Sequence, residues 1–516
     1  MRGIYTSVND IRKRVFAEVA RLSYDYKEGD LSQMEQIPYK IIPGEESLYR
    51  ESVFLERAIV KERMRLAMGL PLRNADEQAP VSQGADECVQ PEKYYQPPLI
   101  NIIKFACHKC PDNIVYVTDT CQGCLAHPCQ EVCPKDAISF VNGKSFIDQE
   151  KCIKCGKCIS VCPYGSIMRQ ERPCAKACGM KAIGSDEYGR ADIDQEKCVS
   201  CGMCLANCPF GAIADKAQIF QTIQAIKSDV PVYAAIAPAI VGQFGPSLTS
   251  NKIRSAFRAL GFEDVMEVAI GADLCTLQEA EDFVEEVPSK LPFMATSCCP
   301  AWSSMARKLF PEQSKCISMA LTPMVLTGRL LKEKHPECKV AFIGPCAAKK
   351  LEAMRASIRS DIDFVLTFEE VMGMFEAKGI NFDELPIDRS MHGASGDGRG
   401  FSVSGGVAGA VVNCIKEKYP NKEVKVASAQ GLDECRKLLT AAKAGKYDGY
   451  LLEGMACPGG CVAGAGTIQP IAKSAANVKS QVKASTNQYA YQSDYQDILP
   501  TLESKYKELI HAPEDK

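Results

Sequence analysis

The chain has little histidine and almost no tryptophan, five and one respectively in 516 residues. The histidines show no ligand spacing, which argues against imidazole-built metal sites; His108 and His127, beside cysteines, read as solvated loop residues. Neither charge sign dominates: 61 Lys and Arg face 64 Asp and Glu, a net of −3, without a basic run or tail. That balance argues against nucleic acid as the main partner. No apolar stretch approaches the ~18 residues of a membrane-spanning helix. The start, "MRGIYTSVNDIRKRVFAEVARLSYD", lacks the apolar core and small-residue cleavage site of a secretory signal. A cytoplasmic protein without a membrane partner is expected. "GASGDGRG" (393–400) lacks the Gly-Lys-Ser/Thr of a phosphate loop, and no nucleotide-binding fingerprint appears elsewhere.

What the chain has in excess is cysteine, 27 of them. An odd count in a cytoplasmic chain points to metal–thiolate binding rather than disulfides. Hydrophobic and charged contents of 46% and 24% describe a globular protein with ample core. Residues 1–100 read as a helical extension followed, from 71, by a Pro-, Gln- and Gly-rich linker containing Cys88. Residues 101–218 hold sixteen cysteines, and from 219 strand-like runs alternate with helical ones, the pattern of an α/β domain.

Two segments, "CIKCGKCISVCP" (Cys152, Cys155, Cys158, Cys162) and "CVSCGMCLANCP" (Cys198, Cys201, Cys204, Cys208), match the ferredoxin run C-x2-C-x2-C-x3-C-P. Three thiolates of such a run hold one 4Fe-4S cube and the fourth reaches a neighbouring cube. "CQGCLAHPCQEVCP" is an expanded run, and pairing it with the first gives Cys121, Cys124, Cys129 with Cys162, and Cys152, Cys155, Cys158 with Cys133. Cys178 completes Cys198, Cys201 and Cys204. Cys174 and Cys208 then need "CHKC" (Cys107, Cys110), so that sixteen cysteines make up to four clusters; separate small sites or free thiols are the alternative for the last group.

Beyond 219, Cys275, Cys316, Cys338, Cys414 and Cys435 stand alone and read as buried hydrophobes. The remaining five lie in "TSCCPAW" (Cys298, Cys299), "GPCAAKKLE" (Cys346) and "EGMACPGGCVAGAG" (Cys457, Cys461), each behind an apolar strand-like run. In α/β sheets ligands gather beyond the carboxyl ends of strands, so these distant cysteines are expected to converge.

With these three motifs in this order behind a ferredoxin-like module, the sequence resembles the FeFe-hydrogenases over about 219–470. The resemblance implies a C-terminal α/β H-cluster domain of two lobes (219–516), an α+β ferredoxin-like iron–sulfur module (101–218) and the helical extension. Its cofactor would be an H-cluster: a cube on Cys299, Cys346, Cys457 and Cys461, bridged through Cys461 to a two-iron unit carrying CO, cyanide and a dithiolate amine. Lys349 matches the lysine that hydrogen-bonds a cyanide, Met455 the methionine near the bridge, and Glu352 the acid paired with that lysine. Four ligands leave one of the vicinal cysteines spare, and in the family the first, here Cys298, relays protons. A thiol pKa near about 8.5 suits such a role. The path outward would run through Glu279, Ser318 and Asp282, the last one methylene shorter than the usual glutamate.

The activity implied is reversible reduction of protons to dihydrogen under anaerobic conditions. The partners would be a ferredoxin or flavodoxin-like carrier and maturation factors for the diiron unit. A hydrogen sensor or iron–sulfur assembly relative is the alternative. Gly344, Ala301, Ala239, "AGAG" and "ALTP" (320–323) depart from the family pattern and indicate a divergent branch.

Overall fold

The computed structural model describes residues 3–502 apart from 28–30, 75, 77, 92–95, 356, 389–390 and 392. Two helices open the chain. Ser7–Asp25 is capped by Thr6, whose hydroxyl accepts from the Asn9 N–H, and Val53–Ala67 is capped by Ser52, which accepts from Phe54 N–H. The first helix lies on Phe368–Lys378 at Gly373, where any Cβ would come within 2.5 Å of Phe16. Arg12 and Lys13 pair with Glu369 and Glu376 across the same contact.

The stretch read from composition as a linker is packed instead. Val81, Ala85, Cys88 and Leu99 are buried in the core that the N-terminal helices share with the C-terminal half. Arg65 holds it in place, donating to the carbonyls of Pro71, Val81 and Gln83 at 2.7–3.0 Å. Pro and Gln mark irregular backbone here, and the apolar residues between them are what bury it.

The cysteine-dense region is built from four antiparallel two-stranded pairs: Ile100–Ile102 with Ile213–Asp215, Ile114–Val117 with Ile167–Gln170, Ile138–Val141 with Lys144–Ile147, and Ile183–Ser185 with Ala191–Ile193. The C-terminal half is mixed α/β. Asp264–Glu267, Val232–Ile236, Lys339–Gly344 and Phe364–Thr367 form one parallel sheet in that order. Met294–Ala295, Tyr450–Met455 and Lys425–Gln430 form a second parallel sheet. Val232–Ile236, Lys339–Gly344, Phe364–Thr367 and Tyr450–Met455 are apolar and buried along nearly their whole length, as strands covered on both faces are, whereas the edge strand Lys425–Gln430 is mostly exposed. Cys275, Cys316, Cys338, Cys414 and Cys435 are all buried in these layers.

Candidate metal centres and active site

The carboxyl ends of the two parallel sheets meet. Lys339–Gly344 delivers Cys346 two residues on, Tyr450–Met455 delivers Cys457, and Met294–Ala295 leads to Cys298 and Cys299. Cys299 caps the helix Pro300–Leu309, whose tryptophan, Trp302, lies flat against Gly454 and donates from Nε1 to Thr296 O at 3.1 Å. A single cavity of about 90 Å³ is bounded by Cys298, Cys299, Cys346, Cys457, Cys461 and Met455. Lys349 reaches the same cavity, and so does Cys201 from the ferredoxin-like region.

The donor set fits iron rather than free thiols. Burial is the first cause raising every one of the five: Cys346 is pushed up to about 11, Cys461 to about 12, and Cys298 and Cys457 well above their usual value. Cys299 is raised as well, with the Ala456 N–H, 3.5 Å from its sulfur, acting against burial. Five thiols together in an apolar enclosure become thiolates only when a metal takes up their charge. The backbone is cut close to make room: a Cβ on Gly464 would come within 2.3 Å of Pro345 O, and one on Gly460, at φ +90°, within 2.6 Å of Ser404 N. Gly344, in a departure from the family pattern, likewise has no space, its Cβ position lying 2.4 Å from the Phe342 ring.

Lys349 is a buried cation whose ammonium lies 2.6 Å from Glu352, yet no hydrogen bond is aligned between them among the described residues. Burial pulls its pKa down, and Glu352, Cys346 and Cys298 outweigh that and raise it. The lysine therefore stays charged at the cavity wall. Such a cation suits an anionic ligand held there.

The helix Val268–Glu286 carries Glu279 and Asp282. Glu279 is fully buried and accepts the Ser297 N–H at 3.0 Å and the Ser297 hydroxyl at 3.3 Å through one oxygen; the other has no partner among the described residues. Burial lifts its pKa to about 7, with Ser297 and Ser318 opposing, and Glu279 is in turn the first charge that raises Cys298. Asp282 is half-buried, accepts from Gln278 at 2.8 Å and is lifted by burial to about 6. Glu281, on the same turn, faces solvent and pairs with Lys418. Ser297, the clamp on Glu279, was not among the residues singled out in the sequence, although it lies inside "TSCCPAW".

The sixteen upstream cysteines fall into four sets of matching geometry. Lys109, Gly123, Lys154 and Ser200, each third in a C-x-x-C turn, have φ between 52° and 58°. Asp136, Gly165, Lys181 and Gly211, each three residues after Cys133, Cys162, Cys178 and Cys208, have φ between 47° and 60°. Cys129, Cys158, Cys174 and Cys204 sit on four short helices and are the buried members. Cys133, Cys152, Cys155 and Cys158 bound one small cavity, and Cys107, Cys110, Cys174 and Cys208 bound another. Cys201 and Cys204 feel the charge of Cys178 and Cys198. Cys121 and Cys129 meet at Ser145. Backbone N–H groups point at the sulfurs of Cys107, Cys133, Cys152, Cys162, Cys178 and Cys198 at 3.3–3.4 Å, the donors that iron–sulfur thiolates use. Among the described residues no three ligating side chains close on a single ion. His108, exposed, and His127, half-buried, lie in loops and stack on Phe210 and Phe140.

Residues 230–465 match the family model for the C-terminal domain of the iron-only hydrogenase large subunit, 151–212 a 4Fe-4S dicluster domain, and 121–172 the LdpA Fe-S cluster-binding domain. The periplasmic [Fe] hydrogenase large subunit of Nitratidesulfovibrio vulgaris is 32% identical over 65% of this chain and 87% of that one. The chain belongs to the iron-only hydrogenase family. Iron hydrogenase 1 of Clostridium pasteurianum is 30% identical over 64% of this chain and 67% of its own length. Outside the hydrogenases themselves, the cytosolic iron-sulfur assembly component 3 of Pongo abelii is 26% identical over 44% of this chain and 59% of that one. A solved [FeFe]-hydrogenase from Chlamydomonas reinhardtii, 23% identical, covers 54% of this chain and 94% of its own, with a TM-score of 0.47. This member of the family thus joins iron–sulfur domains to an H-cluster hydrogenase domain. None of its described helices is long and apolar enough to cross a membrane.

Proposed function

We propose that the protein is a working hydrogenase that interconverts protons and electrons with dihydrogen. The observation that carries this reading is the fifth thiol: Cys298 lines the same cavity as four prospective ligands and lies next to buried Glu279, which a merely structural iron–sulfur site would not need. Cys299, Cys346, Cys457 and Cys461 would hold the cube, with the two sheets as two lobes around it. Lys349 and Met455 would line the diiron unit. When bound, the iron centre supplies the two-electron chemistry between protons and dihydrogen. Cys298 hands protons to or from the cavity, and Glu279 exchanges them with Cys298. Ser318 and Asp282 lead toward the surface. Apolar walls exclude water, which leaves this route as the way in.

Sixteen upstream cysteines would hold four 4Fe-4S clusters over 101–218, and Cys201, on the wall of the active-site cavity, makes its cluster the last before the H-cluster. A ferredoxin or flavodoxin-like carrier would exchange electrons with the outer clusters in the cytoplasm, and maturation factors would deliver the diiron unit. The test is anaerobic protein into which the diiron unit has been inserted. It should show CO and cyanide infrared bands and evolve hydrogen from reduced viologen. Bands without turnover would favour a sensor or an assembly protein; a cytosolic iron-sulfur assembly component is among the matches.

A further inference from the structure

The sites proposed for clusters differ in the charge buried around them. Three arginines surround Cys107, Cys110, Cys174 and Cys208. Arg172 is buried and donates to Cys110 O at 3.1–3.2 Å, Gly184 O at 2.8 Å and Gly189 O at 3.1 Å. Arg50 donates to Ala106 O and Phe210 O at 3.2 and 2.8 Å. Arg63, on the helix Val53–Ala67 of the N-terminal extension, is 5% exposed and donates one N–H to Gly211 O, in the turn that follows Cys208. Its Nε and Nη1 have no acceptor among the described residues. The acceptors that these three arginines reach here are all carbonyls, with no carboxylate at ion-pair distance among the described residues. The cavity of Cys133, Cys152, Cys155 and Cys158 has lysines on its wall too, Lys135 and Lys157, but both are exposed and screened by water.

A cluster gains one negative charge on accepting an electron, and a buried unneutralised cation beside it favours that form. Burial first, then Arg12, pulls Arg63 down to about 10 while Cys208 and Glu369 act the other way, so the guanidinium keeps its charge at neutral pH. We propose that Arg63, supplied by the N-terminal extension, raises the reduction potential of the cluster held by Cys107, Cys110, Cys174 and Cys208, making it the electron-collecting member of the chain. This rests on the reading that those four cysteines hold a 4Fe-4S cluster. Arg63 touches no substrate; it sets the potential, and Arg172 supports it from a distant part of the sequence.

The test uses the full chain with its 4Fe-4S clusters reconstituted anaerobically and no diiron unit. Its readouts are iron content and a dithionite titration followed by electron paramagnetic resonance. Cys208→Ala assigns the site: unchanged iron and spectrum would remove the cluster reading itself, and the proposal with it. Arg63→Gln keeps a donor for Gly211 O but no charge, and should shift one cluster to lower potential while the others stay. Arg63→Lys should bring it back toward the wild-type value. Loss of that cluster in the Gln variant with retention in the Lys variant would also support the charge. Full iron with unshifted potentials in Arg63→Gln, or equal disturbance by Gln and Lys, would overturn the proposal in favour of a structural prop.

Discussion

Ser297 gives both of its donors to the same oxygen of Glu279, its N–H at 3.0 Å and its hydroxyl at 3.3 Å. The residue next to Cys298 is therefore tied to the carboxyl proposed to receive its proton. The single hydroxyl proton is shared with Ala320 O, which accepts it at 3.0 Å, so the loop that carries Ser318 is drawn to the same point.

Cys298→Ala removes the proposed relay but none of the proposed ligands. Iron content and infrared bands should match wild type, while turnover falls at least about a hundredfold, the usual scale of a lost acid–base group. Activity within a few-fold of wild type would sink the relay assignment.

Glu279 has its carboxyl lifted to about 7 by burial, so it is proton-loaded below that pH and proton-accepting above it. Hydrogen evolution should fall as pH rises through about 7, and hydrogen oxidation should rise over the same interval. Glu279→Gln should lower both rates by about a hundredfold or more and flatten both profiles. Retained profiles in the variant would place the controlling group elsewhere.

Asp273 is fully buried, and burial first, then Asp397 and Glu267, lift it to about 7 against the bonds from Ser395. The raised carboxyl favours the folded state fully below its ordinary value near about 4, and the gain is lost as pH rises through about 7. At roughly 1.4 kcal/mol per unit the span is on the order of a few kcal/mol. Denaturant unfolding between pH 5 and 8 should show wild-type stability declining more steeply than that of Asp273→Asn. Parallel declines would refute the assignment.

Gly454 leaves no room for a methyl group: its Cβ would lie 2.2 Å from the Trp302 ring. Gly454→Ala should cost about 1–3 kcal/mol or more by overpacking. Trp302 is the chain's sole tryptophan, so its fluorescence reads the displaced ring directly during thermal unfolding. An unmoved emission maximum and midpoint would contradict the packing.

Spacing within a few residues was legible because backbone geometry alone decides it. The C-x-x-C turns and the run of Cys152–Cys162 need only a local loop, and the left-handed residues Lys154 and Ser200 supply it. Composition misled at 71–100, where Val81, Ala85 and Cys88 pack under Arg65; a polar average does not show where single apolar residues go.

By itself, then, the sequence determined the residue types, the ligand runs and the strands that end in cysteine, since these follow from short-range periodicity and spacing. Only the tertiary structure decided that Cys346 and Cys457 face each other from two different sheets, that Ser297 grips Glu279 and that Arg63 lies beside Cys208. The members of each pair stand far apart in the chain. Their meeting depends on how sheets and helices pack to bury apolar surface, which no local spacing encodes.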